Sequence, residues 1–272
     1  MMPRRNLFAT ICGCVLCAAP LLHAKALHAQ TMDAGQTPSA MEPSRPAVEH
    51  SLRGTPAAEI SGLSKAIDLA LPDSAAVQAA FDHARTISEP WLLNHVVRCW
   101  LFGAKLAEAR KLRPDPEVLA ASALLHDIGL TPHYTGEVRF EVFGANAART
   151  FVAEQGFDGN GQRLVWDSIA LHTTPSIARY KEIEVACCAA GVGLDIGGIG
   201  FKELGQPAID KIVGLAPRLA MKQRFEAAMV HIAQTYPATT YDNFIRDYGS
   251  SFVPSYSAPS SVEFLRNGPF AE

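Results

Sequence analysis

A histidine and an aspartate stand next to each other at His126 and Asp127, within the otherwise apolar stretch 124–129. Burying ionisable side chains beside leucine and isoleucine costs several kcal/mol unless the groups are paired or bind a ligand. Imidazole and carboxylate groups are both ligands of divalent metal ions. The pair therefore predicts a buried metal site, and it requires a fold that brings further ligands to that site.

The bulk composition favours a helical globular protein. The chain has 272 residues, of which 48% are hydrophobic and 19% charged, and its formal net charge is −3. This balance provides no basic surface of the kind that binds nucleic acid, so we expect no nucleic-acid partner. Alanine- and leucine-rich segments with helical spacing are common, whereas strand-like alternation is scarce. These patterns predict an all-α fold.

The N-terminal segment has the composition of an export signal. Arg4 and Arg5 precede an apolar run over residues 7–22, and small residues follow it. This order predicts a cleavable signal peptide and a periplasmic or secreted protein. The adjacent arginines fit the twin-arginine route and an ordinary Sec signal about equally well. The apolar run is short and is interrupted by glycine and proline, so we expect no stable membrane span in the mature chain.

Changes in composition predict the domain boundaries. Residues 1–29 form the expected signal peptide, and residues 30–54, rich in Pro, Ser and Ala without a period, form a disordered linker. We place the helical domain at residues 55–250 and a loosely ordered tail at residues 251–272. The sequence leaves open whether the chain forms a homo-oligomer.

Three cysteines remain after the predicted signal peptide: Cys99, Cys187 and Cys188. An odd number with two adjacent members is not typical of a disulfide framework. All three lie in apolar helical contexts, so we predict small buried side chains with free thiols.

Two further polar residues lie on apolar helix faces and could complete the metal site. His95 is on a predicted helix over residues 88–112. Asp195 is at the end of a predicted helix over residues 184–196, on a face of small residues. Each glycine in that helix lowers the stability of the helix by about 1 kcal/mol relative to alanine, and it allows close approach of another backbone. A histidine satisfied within the core and an aspartate that caps the next segment are the alternatives.

The order His95, His126-Asp127, Asp195 on separate helices resembles the HD-domain superfamily, helical hydrolases that depend on a metal ion. Within that superfamily the sequence is similar to the cyanamide-hydratase-like branch over roughly residues 90–250. The motifs that carry this similarity are Asn94-His95, Arg98–Gly103, Leu125–Gly129, Phe140-Glu141, Phe143–Ala145 and Leu171–Thr174.

The resemblance implies an HD-domain helical bundle with a mononuclear metal site in its core. It implies one divalent ion, held by His95, His126, Asp127 and Asp195. Zinc is the first choice of metal for this branch, and iron, manganese, nickel and cobalt occur in the wider superfamily. Imidazole and carboxylate ligands suit any of these ions.

The resemblance also implies a role for the residues around the ion. The ion would activate a water molecule by lowering its pKa, and His172, His133 or Asp127 would move protons. The residues expected to bind the substrate are Thr173, Thr174, Arg98, Asn94, Phe140 and Glu141.

Three functions are compatible with these residues. The first is hydration of a nitrile-like carbon in a small molecule, as in cyanamide hydratase. The second is hydrolysis of a nucleotide or another phosphomonoester. It requires cationic side chains near the metal, for which Arg98, Arg139, Arg179 and Lys202 are the candidates. The third is a cell-envelope protein that binds metal without catalysis.

Overall fold

The computed structural model describes residues 52–269, and the predicted signal peptide and the predicted linker up to Ser51 lie outside the described residues. Over that range the chain forms α-helices, two short 3-10 helices and no strand, which confirms the predicted all-α fold. The α-helices are α1 (Pro56–Ile67), α2 (Ala75–Ile87), α3 (Pro90–Ala109), α4 (Pro116–Leu125), α5 (Phe140–Glu154), α6 (Gly159–Leu171), α7 (Pro175–Ala178), α8 (Ile183–Gly197), α9 (Phe201–Leu204), α10 (Gln206–Leu215), α11 (Met221–Thr235), α12 (Ile245–Phe252) and α13 (Ser261–Arg266). The 3-10 helices are Ile128–Leu130 and Pro237–Thr239.

Side-chain caps define the starts of several helices. The side chains of Ser74, Asp115 and Asp158 each accept a hydrogen bond from a backbone N–H in the first turn of the helix that follows. Such caps satisfy donors that have no partner within the helix. The predicted start of α3 at Ser88 is wrong, because Ser88 instead ends α2, and α3 begins at Pro90.

The centre of the fold is the close contact between α3 and α8. A Cβ atom added to Gly191 would lie 2.1 Å from the carbonyl oxygen of Cys99, and one added to Gly103 would lie 2.9 Å from that of Cys187. Only glycine allows the two helix backbones to approach this closely. The contact brings the polar residues of α3 next to those at the end of α8.

Helices α4 and α6 end beside this central pair, and each is followed by a histidine. α4 is buried on every side from Val118 to Leu125 and ends at Leu125. His126 is the C-cap of α4, and a 3-10 helix starts at Ile128. His172 is the C-cap of α6 in the same way. Both histidines are buried.

The cysteine side chains and the tail complete the description. Cys99, Cys187 and Cys188 are buried free thiols, as predicted. The tail contains α13, on which Val262 and Phe264 are exposed. Between residues 52 and 269, none of the helices has both the length and the apolar character that crossing a bilayer requires.

Candidate metal centre

Four buried side chains from three parts of the fold converge in the core. Nε2 of His95 lies 3.3 Å from Nε2 of His126 and 3.3 Å from Oδ2 of Asp127. Nε2 of His126 is also 3.3 Å from Oδ2 of Asp127, and Nε2 of His172 is 3.4 Å from Oδ1 of the same carboxylate. We call this group, His95, His126, Asp127 and His172, the His3Asp cluster.

The three imidazoles of the cluster are oriented by hydrogen bonds at their other ring nitrogen. Nδ1 of His126 donates to the carbonyl of Ala123 (2.8 Å), and Nδ1 of His172 donates to the carbonyl of Ile169 (2.6 Å). Carbonyl oxygens only accept, so the hydrogen is on Nδ1 in both rings. In the neutral ring, Nε2 then carries a free lone pair directed at Asp127. Burial lowers the pKa of His126, which favours this neutral form.

His95 shows the same arrangement with a different acceptor. Its Nδ1 lies 2.6 Å from Oδ2 of Asp195, and a carboxylate can only accept this hydrogen bond. Nε2 of His95 therefore also faces Asp127. A carboxylate behind a histidine, on the side away from the ion, is a common way of fixing the ring that binds a metal.

Asp127 is the member of the cluster whose side-chain oxygens lack hydrogen bonds. Its side chain is 1% exposed, and neither Oδ1 nor Oδ2 forms a hydrogen bond with any described residue. Burial by itself would raise the pKa of Asp127, but His126 and the two other rings hold it well below its usual range. The residue is therefore an ionised buried carboxylate, which is costly without a compensating cation.

The cluster fits a divalent metal ion. Its donor atoms are 3.3–3.4 Å apart where they face Asp127. Two ligands at about 2.0–2.2 Å from one tetrahedral ion stand about 3.3–3.6 Å apart. Three imidazole lone pairs and one carboxylate without hydrogen bonds also match the chemistry of zinc and of other first-row transition ions.

Asp195, which the sequence predicts as a ligand, lies outside the cluster. Arg98 binds both of its oxygens, with Nε to Oδ1 and Nη2 to Oδ2 each at 2.7 Å. Arg218 adds a contact of 2.9 Å to Oδ1. Burial opposes ionisation, but Arg98 and His95 lower the pKa of this carboxyl. The geometry thus places Asp195 behind His95, whereas Nε2 of His172 faces Asp127.

Cys99 is a further side chain near His95 that could bind a metal ion. Its Sγ lies 3.5 Å from Nδ1 and 3.7 Å from Nε2 of His95. Burial raises the pKa of this thiol. Because the thiolate rather than the thiol binds metal, His172 is the better ligand.

Three of the predicted substrate-binding residues form buried contacts and do not face the cavity. Arg98 is fully buried, and besides Asp195 it binds the carbonyl of Ala216 at 2.8 Å. Nδ2 of Asn94 donates to the carbonyl of Pro217 at 2.8 Å. Phe140 is buried with its ring edge-on to that of His172, at 5.8 Å between centroids. None of the three lines the cavity described below.

Thr173 and Glu141 form a hydrogen-bonded pair at the edge of the site. The hydroxyl of Thr173 donates to Oε1 of Glu141 at 2.6 Å, and Nη2 of Arg139 donates to the same oxygen at 2.9 Å. Glu141 is fully buried, while Thr173 lines the cavity. Because the hydroxyl hydrogen of Thr173 is directed to Glu141, the hydroxyl oxygen of Thr173 can accept a hydrogen bond from a ligand.

Two other predicted site residues lie away from the cluster. His133 is exposed on the protein surface, next to His83, whose pKa is lowered by burial and by His133. Thr174 precedes α7 and its backbone N–H donates to the carbonyl of Leu171 at 2.8 Å. Neither residue lines the cavity, so neither is placed to contact a ligand there.

A cavity of about 210 Å³ opens onto the His3Asp cluster. Thr173 and Tyr248 are its only polar lining side chains apart from the cluster itself, and no Lys or Arg of residues 52–269 lines it. The remaining lining is apolar or glycine: Pro175, Ala189, Val192, Gly193, Ile196, Gly197, Ile199, Phe225 and Phe244. The cavity is therefore suited to an uncharged molecule.

Several residues of the site were not predicted from the sequence. Phe225 reaches the cavity from α11, Phe244 from the segment that leads into α12, and Tyr248 from α12 itself. Arg218 precedes α11 and reaches back to Asp195. All four side chains are half-buried, and nothing in their local sequence indicates which helices they meet.

The comparison with known protein families identifies a match over the region that contains the site. The family model described as HD domain matches residues 92–222, a range that includes all four members of the His3Asp cluster together with Asp195. No curated protein matches the chain significantly.

Proposed function

We propose that this protein uses one divalent ion to add water to a small uncharged molecule, as is expected of the superfamily of metal-dependent hydrolases whose HD-domain model matches residues 92–222. The ion is held by His95, His126, Asp127 and His172. Zinc is the proposed metal, because three imidazoles and a carboxylate suit it.

The observation that carries the proposal is the set of potential metal-ligand atoms around Asp127, namely the Nε2 atoms of three histidines and the two oxygens of the carboxylate. Three histidines give their Nδ1 hydrogens to other acceptors, and both oxygens of Asp127 lack hydrogen bonds. A purely structural core would not be expected to retain such a set, because unpaired buried groups are destabilising. A cation satisfies all of these atoms at once.

Different residues of the chain have different roles around the ion. A bound ion that has room for a water molecule beside its four protein ligands would lower the pKa of that water and so make a nucleophile available near neutral pH. Asp195, Ala123 and Ile169 fix the three rings through their Nδ1 atoms. The hydroxyl oxygen of Thr173 can accept a hydrogen bond from an N–H group of cyanamide or of the amide product, and the apolar walls of the cavity limit the access of bulk water.

The chemistry of the cavity supports hydration of a nitrile-type carbon, as in cyanamide hydratase. A nitrile is uncharged, and addition of one water molecule converts R–C≡N into R–C(=O)–NH2 with no leaving group. A phosphomonoester would instead need cations, and none lines the cavity among the described residues. Arg98 is engaged by Asp195 and Arg139 by Glu141, while Arg179 and Lys202 are exposed.

The test is an activity assay of the purified, zinc-loaded protein. Cyanamide is assayed for urea, organonitriles for the corresponding amides, and a panel of phosphomonoesters for phosphate. The proposal expects urea or amide and no phosphate, with activity lost in His126→Ala and retained in His133→Ala. Phosphate release, or no turnover of any nitrile by protein that holds zinc, would overturn it.

A further inference from the structure

Two glycines of α8 have different surroundings. A Cβ on Gly191 would collide with the backbone of α3, at 2.1 Å from the carbonyl oxygen of Cys99. A Cβ on Gly193 would meet only the side chain of Ile199, at an ordinary contact distance of 3.5 Å. Glycine inside a helix costs about 1 kcal/mol relative to alanine. Close packing explains this cost at Gly191 but does not explain it at Gly193.

Gly193 belongs to a stripe of small residues that lines the cavity. Ala189, Gly193 and Gly197 are spaced by four residues along α8, so they lie on one face of the helix, and all three line the cavity. The absence of a side chain at Gly193 therefore leaves free volume inside the cavity. Phe225 and Phe244 line the same cavity, and their rings stack at 6.4 Å.

The cavity also reaches the candidate metal centre. Asp127 lines it with a carboxylate that is 1% exposed and has no hydrogen bond within residues 52–269. The cavity thus combines a polar end at the His3Asp cluster with an apolar remainder. Among the described residues outside the cluster, only Thr173 and Tyr248 contribute polar groups to the cavity. Burial, with Glu226 and Asp247, raises the pKa of Tyr248, so this phenol remains uncharged.

We propose that the substrate of this site is an uncharged molecule with an apolar substituent of a few carbon atoms, and that Gly193 sets the width available to that substituent. The polar reacting group lies at the His3Asp cluster. The substituent lies along Gly193 and Ile199, facing Phe225 and Phe244. The inference rests on the proposed function of the same site, and it predicts a preference for substrates larger than the smallest nitriles.

The test uses primary carboxamides, which are the products of nitrile hydration and report binding without turnover. The affinities of formamide, acetamide, propionamide and butyramide for the zinc-loaded protein are measured by NMR titration. Each buried methylene is expected to raise the affinity about fourfold.

Gly193→Ala is the decisive variant. Its methyl group narrows the cavity, so the affinity for butyramide should fall about tenfold while that for formamide stays within about twofold. Helix propensity favours alanine, so this variant should unfold at the same temperature as the wild type or higher. Gly62→Ala in α1 is the matched control: Gly62 has no atom within 4 Å of an added Cβ, and the variant should bind every amide as the wild type does.

Ile199→Ala provides a second variant, because Ile199 is 61% exposed and its loss should not prevent folding. It should weaken butyramide binding a few-fold. An affinity that is flat along the amide series, or unchanged by both Gly193→Ala and Ile199→Ala, would overturn the inference. Chain-length-dependent amide binding without nitrile turnover would leave the inference standing and refute the proposed hydration. Nitrile turnover together with an affinity that does not change along the amide series would support the proposed hydration and refute the inference.

Discussion

Nδ1 of His95 lies 2.6 Å from Oδ2 of Asp195, so the carboxylate sits behind the imidazole and not among the atoms that face Asp127. The two residues come from α3 and α8, whose backbones touch at Gly191. This contact separates two roles that the sequence alone does not distinguish. One carboxylate, Asp127, faces the lone pairs of the histidines, and the other, Asp195, orients one of them.

The first prediction concerns Asp195→Asn. The amide cannot accept all the hydrogen bonds of the carboxylate, so the affinity for zinc should fall about 10–100-fold, the usual effect of removing a group that orients a ligand. Leaving Arg98 buried without its partner should also lower the free energy of unfolding by about 3–5 kcal/mol. Zinc titration and chemical denaturation measure the two effects. Asp127→Asn is the comparison, and it should abolish zinc binding. Equal losses in the two variants would make Asp195 a ligand.

The second prediction concerns His172→Ala. His172 is buried and contributes Nε2 to the cluster at 3.4 Å from Asp127, so its removal should sharply reduce the zinc content of the purified protein. His133→Ala is the matched control, since His133 is exposed and should leave the zinc content unchanged. Elemental analysis of both variants gives the answer. Full zinc occupancy in His172→Ala would show that another group completes the site.

The third prediction is a pH dependence of metal binding. Burial alone would lower the pKa of His95, but Cys99 and the carboxylates of Asp127 and Asp195 raise it well above its usual value. Protons therefore compete with the metal ion for Nε2 below this raised pKa. Affinity should fall about tenfold per pH unit on lowering the pH, and level off above the pKa. Calorimetry in buffers of different ionisation enthalpy should detect the proton that is released. Binding that is independent of pH would exclude His95 as a ligand.

The fourth prediction concerns the free thiols. Burial raises the pKa of Cys187 to about 11 and also raises that of Cys188. The thiolate is the reactive form, so Cys187 in the folded protein should react with iodoacetamide at pH 8 about a hundredfold more slowly than a free cysteine. Mass spectrometry of partly alkylated protein gives the rate, with denatured protein as the control. Rapid alkylation under native conditions would contradict the buried placement.

Local sequence signals were sufficient for the first part of the site. His126 and Asp127 are costly in an apolar context, and His95 lies on an apolar helix face, so each could be identified from its neighbours. His172 carries a related signal, because both His126 and His172 follow a buried helix and donate Nδ1 to the carbonyl three residues earlier. Its position at a helix end was visible in the sequence, but its role as a member of the cluster was not.

The remaining parts of the site depend on tertiary packing. Arg98 and Asp195 are far apart in the sequence, and their pairing follows from the contact of α3 with α8. Phe225, Phe244 and Tyr248 reach the cavity only because α11 and α12 pack beside the cluster. Helical periodicity predicts which face of a helix is apolar, but it does not predict which cavity that face meets.

The central claim is that one divalent ion is bound by His95, His126, Asp127 and His172. Anomalous diffraction from crystals of the zinc-loaded protein, recorded at the zinc absorption edge, tests it most directly. We predict one anomalous peak per chain, between the Nε2 atoms of the three histidines and the carboxylate of Asp127, with Asp195 still bound to Arg98. A peak coordinated by Asp195 in place of His172, or no peak at the cluster, would contradict the claim.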